Sequence, residues 1–380
     1  MSERDDGIVE AIPRHRKIAY GALLFGVGLL LAEVGMRVTF FLKEDLAPTP
    51  DVSLEYEWKW AGWRLARGSA AFIGKHEYDA DLGWRLVANY EEDGIRTNAQ
   101  GLRADREYPP GRQPGRRRIV LLGDSFTFGA LVANHETFAH FLEHEQLPGW
   151  DVINLAVSGY GTDQALLAYE QRSAELAADV VVMGFYVRDY YRNLMRFLVY
   201  AKPYFELDGD GLRLTQHPVI PPATLYEEYA NGSRRISDVD APYLVLSLAK
   251  AWRRLRERRP SESDAEWQVL SRLMRRFRDH VRAQGAEPLW LVIPKRDVVE
   301  VERNRYTAIE EMCEREAQAS GLSVLRVDGA FRAHAARNPD VPLYRPRDVG
   351  GHLSVDGHRV VAASLANHLR SEGLIERSPN

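Results

Sequence analysis

The chain has 380 residues, a formal charge of −4 and a hydrophobic fraction of 45%. That length holds one large domain with additions or two modest ones. The near-neutral balance argues against broad nucleic-acid binding, which needs a basic excess, and the one cysteine, Cys313, excludes an internal disulfide. Arginine clusters at 116–118, 253–259 and 275–278 read as solvated helix faces or loop edges, and Cys313 as a buried structural thiol.

Residues 1–17 form a polar tail ending in Arg14-His15-Arg16-Lys17. Ile18 to Ala32 carries no charge, and apolar character returns at Val34 and Val38–Leu42. A membrane span needs about 20 mostly apolar residues, so 18–42 is expected to be a transmembrane anchor. The basic flank predicts a cytoplasmic tail at 1–17 and a single pass through the inner (cytoplasmic) membrane, with everything after residue 43 outside. A cleaved signal peptide is the rival, but Ala32-Glu33-Val34-Gly35-Met36 is a poor cleavage site. A buried soluble helix is the third reading.

Residues 46–115 lack long periodic segments and read as an N-terminal extension with short strands and turns around Gly83-Trp84-Arg85 and Thr97–Arg103. The main domain is expected over 116–375. Ile119–Leu122 is a continuous apolar run, as in a strand buried on both faces. A helix follows over Thr137–Glu145, a strand over Asp151–Leu155, a helix over Gln164–Ala178 and a strand over Val180–Phe185. After an irregular insertion at 195–262 come helix Glu266–Gln284, strand Leu289–Ile293, helix Tyr306–Ser320, strand Ser323–Val327 and a closing helix Val355–Arg370 that Ser354 is placed to cap. Alternating strands and helices predict an α/β fold: a three-layer sandwich with a parallel sheet flanked by helices, plus the N-terminal transmembrane helix. The insertion reads as a lid or wall over the site.

In open α/β sheets ligands sit at the carboxyl ends of the strands. The first strand leads into Gly123-Asp124-Ser125-Phe126-Thr127-Phe128-Gly129. Ser125 falls at a strand-to-helix turn, with its own N–H near a helix start that favours a developing oxyanion. The second strand leads into Ser158-Gly159-Tyr160-Gly161, where glycine brings a backbone N–H close to a ligand. The third leads into Tyr186-Val187-Arg188-Asp189. Before the closing helix stands Asp348-Val349-Gly350-Gly351-His352, a histidine suited to general-base work with a carboxylate to fix its tautomer.

These blocks together resemble the SGNH/GDSL hydrolase superfamily over roughly residues 118–372, and the lead-in at Gly83–Arg85 and Thr97–Arg103 resembles that of its membrane-anchored bacterial members. The resemblance implies Ser125 as nucleophile, His352 as base, Asp348 as acid, and an oxyanion hole from Ser125, Gly159 and the residue at position 188. Two departures stand out. The superfamily has an asparagine where this chain has Arg188. Either the guanidinium substitutes or binds an anionic group on the substrate, or it pairs with a local carboxylate and weakens the hole; Asn193 is a weaker substitute. The family's aspartate lies three residues before the histidine, where Val349 stands; Asp348 lies four before, and Gly350-Gly351 gives the loop room to adjust. A dyad without an acid, or one using a backbone carbonyl, is the alternative.

The implied reaction is two-step acyl transfer on an ester-bearing substrate such as acylated glycan or lipid, needing no cofactor and no metal. An esterase or deacetylase of envelope glycan or lipid, an O-acyltransferase for an exported polysaccharide, and a catalytically weakened glycan-binding or assembly protein are the three functional readings. His140-Phe141-Leu142-Glu143-His144 also fits the pattern of inverted zinc peptidases, but reads better as a solvated helix face. Asp356 and His358 read as capping or surface residues, and Asp328 as a turn carboxylate.

Overall fold

The computed structural model describes residues 13–42, 52–72, 74–111, 113–235, 242–255, 260–300, 305–346, 348 and 350–375. Most of the polar tail, and position 349, lie outside them.

Helix α1 (Arg14–Leu42) opens the chain. Its Arg14–Thr39 stretch is long and apolar enough to cross a membrane, and none of its most apolar window is buried. The extension then contains a helix that hydrophobic periodicity did not reveal, α2 (Val52–Arg67). Its buried face runs through Ser53, Glu57, Trp60, Ala61 and Arg64. The spacing is helical, but polar side chains carry it, so an apolar pattern misses it. Hairpins β1 (His76–Asp79)–β2 (Gly83–Leu86) and β3 (Glu91–Glu92)–β4 (Ile95–Arg96) follow.

The central sheet begins with β5 (Arg117–Gly123). The short helix α3 (Ser125–Phe128) comes next, then α4 (Phe138–Phe141), which continues as a π turn over Leu142–Gln146. The chain goes on through β6 (Trp150–Asn154), α5 (Thr162–Leu176), β7 (Val180–Tyr186) and α6 (Asp189–Arg192). The insertion holds the hairpin β8 (Tyr204–Asp208)–β9 (Gly211–Thr215) and helices α7 (Pro222–Ala230) and α8 (Tyr243–Leu255). The domain closes with α9 (Ala265–Ala283), β10 (Glu287–Ile293), α10 (Arg296–Glu300), α11 (Arg305–Ser320), β11 (Ser323–Arg326), α12 (Asp328–Arg337) and α13 (Val355–Ser371).

The sheet is five-stranded and wholly parallel, in the order β11-β10-β7-β5-β6. Order reverses between β5 and β7, so this doubly wound sheet has its switch point at the end of β5. Register Ile119↔Val180 and Leu121↔Val182 puts apolar side chains of neighbouring strands side by side. Every residue of β7 is buried, and each buried Val, Leu or Ile contributes about 1.5–3 kcal/mol. Helices α5 and α9 pack together as one layer, and α13 with α4 and α12 as another. Ser354 caps α13, its Oγ accepting the Gly357 N–H at 3.1 Å. Cys313 is buried.

The extension is built into the domain. Arg103 is buried; it donates to the Phe128 and Val132 carbonyls at 2.7 and 2.5 Å and to Asn134 Oδ1 at 3.0 Å. It thereby clamps the chain that leaves α3. One arginine of the clusters read as solvated is also interior: Arg118 is buried, donating to the Leu176 carbonyl at 2.7 Å and to Asp151 at 3.3 Å.

Candidate active site

The switch point carries Ser125. Asp124 ends the turn as helix cap, its Oδ1 accepting the Phe126 N–H at 2.8 Å, which starts α3 at the serine. His352 Nε2 lies 2.9 Å from Ser125 Oγ, and His352 Nδ1 lies 2.7 Å from Asp348 Oδ2. Asp348 Oδ2 also accepts the His352 backbone N–H at 2.6 Å, and Oδ1 accepts the Gly350 N–H at 3.1 Å. Burial pushes the Asp348 carboxyl up, but these donors more than offset it and leave it below the usual carboxylate range. The loop that seats the carboxylate needs glycine at 350, because a Cβ there would come within 2.5 Å of His352 Cε1. The Phe126 ring stacks on Tyr186 at 3.8 Å and lies 5.0 Å from the His352 ring, so it helps hold the imidazole in place.

The β6 exit supplies Gly159, with φ at 90°. A Cβ there would lie 2.8 Å from Val199 Cγ2 and 3.3 Å from Trp84 Cζ2. Trp84 in turn donates its indole N–H to the Ser158 carbonyl at 3.2 Å. The N-terminal extension and the start of the insertion therefore shape this turn together. The Gly159 and Ser125 N–H groups have no backbone partner among the described residues. An arrangement of hydroxyl, imidazole, carboxylate and free amides suits attack on a carbonyl and support of the resulting oxyanion.

Residues 121–360, more than half of the chain, match the GDSL-like lipase/acylhydrolase family. The chain belongs to this family. A comparison with curated proteins finds no match. Solved structures with similar backbones include LAE5, an α/β hydrolase from the metagenome of Lake Arreo, Spain, at 13% identity, covering 69% of this chain and 97% of that one, TM-score 0.41. The acetyl xylan esterase AlAXEase is 12% identical, covering 66% and 98%, TM-score 0.38. A lipase/acylhydrolase from Enterococcus faecalis is 15% identical, covering 67% and 96%, TM-score 0.37.

Within this GDSL-family domain, the β7 exit carries Arg188. Arg188 sits exposed at the start of α6, and its guanidinium makes no hydrogen bond or ion pair among the described residues. It is near enough to the buried Tyr186 hydroxyl to oppose the upward push of burial on that group. Pairing with local carboxylates falls instead to Arg192, which sequence reasoning missed. Arg192 Nη1 lies 2.6 Å from Asp124 and 2.9 Å from Asp189, and donates to the Tyr160 carbonyl at 3.3 Å. Burial and the nearby Asp124 push the Asp189 carboxyl well up, with Arg192 pulling it back. The available signal was the i, i+3 spacing of Asp189 and Arg192 on one short helix. Asn193 is wholly buried, its Oδ1 accepting the Asp163 N–H at 3.2 Å.

Other expected residues fall outside the site. His358 is buried, contrary to a surface role. Its Nδ1 accepts the Phe138 N–H at 3.3 Å and its ring stacks on Phe138, while burial pushes its pKa down to about 3. Asp356 is half-buried in the first turn of α13. His140 and His144 stack on each other at 4.1 Å, and no group of three or more potential metal ligands occurs among the described residues. Asp328 pairs with Arg326 and Arg332 at 3.3 and 2.7 Å.

Proposed function

We propose that this family member is a serine esterase anchored in the cytoplasmic membrane, with its catalytic domain outside, acting on acylated glycan or lipid of the envelope. The observation that carries this reading is the hydrogen-bonded line Ser125–His352–Asp348, at 2.9 and 2.7 Å. The basic run Arg14–Lys17 before a span-length apolar helix supports the orientation.

In this reading His352 Nε2 takes the Ser125 proton as Oγ attacks the ester carbonyl. The tetrahedral oxyanion receives the Ser125 and Gly159 N–H groups, and the exposed Arg188 guanidinium donates where the family has an amide. The imidazolium, stabilised by Asp348, then returns its proton to the leaving alcohol, and an acyl-Ser125 ester remains. Water, deprotonated by His352, attacks that ester, and the imidazolium returns the proton to Ser125 Oγ as the acid leaves.

A fluorophosphonate probe on the full chain tests the nucleophile. Labelling that disappears in Ser125→Ala is the expected result. An unlabelled wild type defeats the enzymatic reading, and labelling that survives the substitution puts the nucleophile elsewhere.

A further inference from the structure

Helix α8 shows two different faces. The inner one holds it on the domain: Leu246 is buried, and Lys250 Nζ lies 2.8 Å from Glu55 of α2. The outer one presents Val245, Leu248 and Trp252, at i, i+3 and i+7, each more than half exposed. Ala249 and Ala251 are exposed beside them, so from Val245 to Trp252 every exposed side chain is apolar. A helix on the surface of a water-soluble domain carries polar residues on its outer face; this stretch carries none there.

The start of α8 is bound to α1. Glu33, the one acidic residue of that helix, accepts the Tyr243 and Leu244 N–H groups at 2.9 Å each. Arg37 lies 2.7 Å from Glu33 and 4.5 Å over the Tyr243 ring. A carboxylate within a membrane span is costly unless it is paired. This one is held by an arginine and by the first N–H groups of α8, where the helix dipole also favours a negative charge. At about 1.5 Å per residue from Ile18, about 30 Å of hydrocarbon ends near Arg37, and Glu33 lies about 6 Å inside that boundary. Amphipathic helices that lie in the plane of a membrane surface sit at about that depth, about 5–10 Å. The outer face of α8 thus continues the unburied apolar surface of α1 at the level where such helices rest. The sequence supplies five arginines within 253–259 directly after it, a composition suited to lipid headgroups.

We infer that α8 lies in the outer leaflet with Val245, Leu248 and Trp252 among the acyl chains, so that the domain is held on the bilayer at a second point besides α1. This rests on α1 being the membrane anchor. The part of the insertion that carries α8 then faces lipid, and the catalytic domain keeps a fixed orientation to the membrane surface instead of swinging on a tether.

The test is nitroxide depth measurement on the full chain in phospholipid nanodiscs, one molecule per disc. Cys313 is buried and stays in place, with the wild type as labelling blank. Labels are attached in turn at Val245→Cys, Leu248→Cys and Trp252→Cys, at Leu24→Cys within α1, and at Glu372→Cys, exposed just past α13. Oxygen concentrates in lipid, and a water-soluble nickel chelate is excluded from it. The oxygen-to-nickel collision ratio at 245, 248 and 252 is expected to exceed that at 372 by about fivefold or more, with 24 higher still. Ratios on α8 equal to that at 372, while 24 is shielded from nickel, overturn the inference and leave the anchor reading standing. Slow collisions with both reagents on α8 mean that protein, such as a neighbouring part of the chain, covers the face, and overturn it too. A label at 24 open to nickel defeats the anchor reading, and the inference with it.

Discussion

Replacing Asp348 by asparagine and by alanine separates two duties of the carboxylate. Oδ2 receives two donors, the His352 backbone N–H at 2.6 Å and Nδ1 at 2.7 Å, whereas Oδ1 receives only the Gly350 N–H at 3.1 Å. An asparagine keeps one oxygen. Turned toward His352, its amide meets one opposing donor at Gly350; turned the other way it meets two, at shorter range. The first orientation wins by at least one hydrogen bond, about 1 kcal/mol. The imidazole then keeps its proton on Nδ1 and presents Nε2 to Ser125, and what disappears is the negative charge beside the imidazolium. Two charges about 4 Å apart at an effective dielectric of about 20 attract by about 4 kcal/mol. The two side chains are 20% and 16% exposed, and screening at that exposure brings the loss to about 2–4 kcal/mol, or about 30- to 1,000-fold in rate. Asp348→Ala removes orientation as well and should cost about 10⁴. Values of kcat/KM for p-nitrophenyl acetate, with melting curves to confirm folding, decide the matter. An asparagine variant as slow as the alanine variant would refute the orientation argument, and two variants within threefold of wild type would remove Asp348 from the mechanism.

Gly159→Ala forces an L-residue into φ 90° and a Cβ to within 2.8 Å of Val199 Cγ2; a stability loss of about 1–2 kcal/mol and a kcat loss of about 10²–10³ are expected from melting and kinetics. Arg188→Ala should lower kcat by a similar factor and Arg188→Asn should recover most of it; an alanine variant with unchanged kcat shows that the guanidinium does not serve the oxyanion. Lys202 and Asp163 form an ion pair with both side chains fully buried. Lys202→Met strands the carboxylate and should cost about 3–5 kcal/mol in urea unfolding, much of it recovered by adding Asp163→Leu. His358 has its folded pKa pushed down to about 3 by burial, with Arg103 and His352 adding to the effect. The unfolded chain therefore binds the extra proton first, and stability is lost as pH falls from about 6.5 toward 3, by a few kcal/mol at the low end. His358→Asn, which keeps an acceptor for the Phe138 N–H, should flatten that part of the stability curve; an unaltered slope would place the titration elsewhere.

The parts legible in the sequence are those whose cause is local. Apolar runs marked β5, β7 and β10 because both faces of each are covered, whereas the edge strands β6 and β11 mix polar with apolar residues and were placed by their alternation with helices. Ser125, Gly159, Asp348 and His352 stood out because each follows a strand or precedes a helix, where backbone geometry exposes a side chain or an N–H. The structure brings Ser125, His352 and Asp348 into hydrogen-bond contact across 227 and 4 residues of chain. The parts that escaped depend on partners distant in sequence. Arg192 reaches Asp124 across 68 residues, Lys202 reaches Asp163 across 39, and Arg103 clamps carbonyls 25 and more residues away. In an alphabet of apolar and polar positions these charged residues read as surface, although their pairing is what permits burial. Helix α2 escaped for the same reason, since Glu57 is buried against Arg234 at 2.8 Å and the Tyr229 hydroxyl at 2.7 Å.

The two arginines at the β7 exit define how this site differs from one with an amide at position 188. Arg192 holds a fixed place among Asp124, Asp189 and the Tyr160 carbonyl, so its charge is spent on keeping the nucleophile turn and the Gly159 turn in register. Arg188 is exposed, and its charge is unpaired among the described residues. A neutral amide favours the oxyanion mainly once it forms, whereas a guanidinium also attracts any anion already present on the substrate. Only the part of that attraction which grows on going to the transition state raises kcat; the rest lowers KM. In the proposed mechanism, for an uncharged ester the charge at Arg188 acts on the developing oxyanion. For an ester bearing a phosphate or carboxylate near its carbonyl, the same charge is partly used in binding. Comparing Arg188→Asn with wild type on neutral and anionic esters therefore reads the substrate's charge from the enzyme: a substitution that raises KM for the anionic ester alone assigns Arg188 to substrate recognition, and one that lowers kcat equally on both assigns it to the oxyanion.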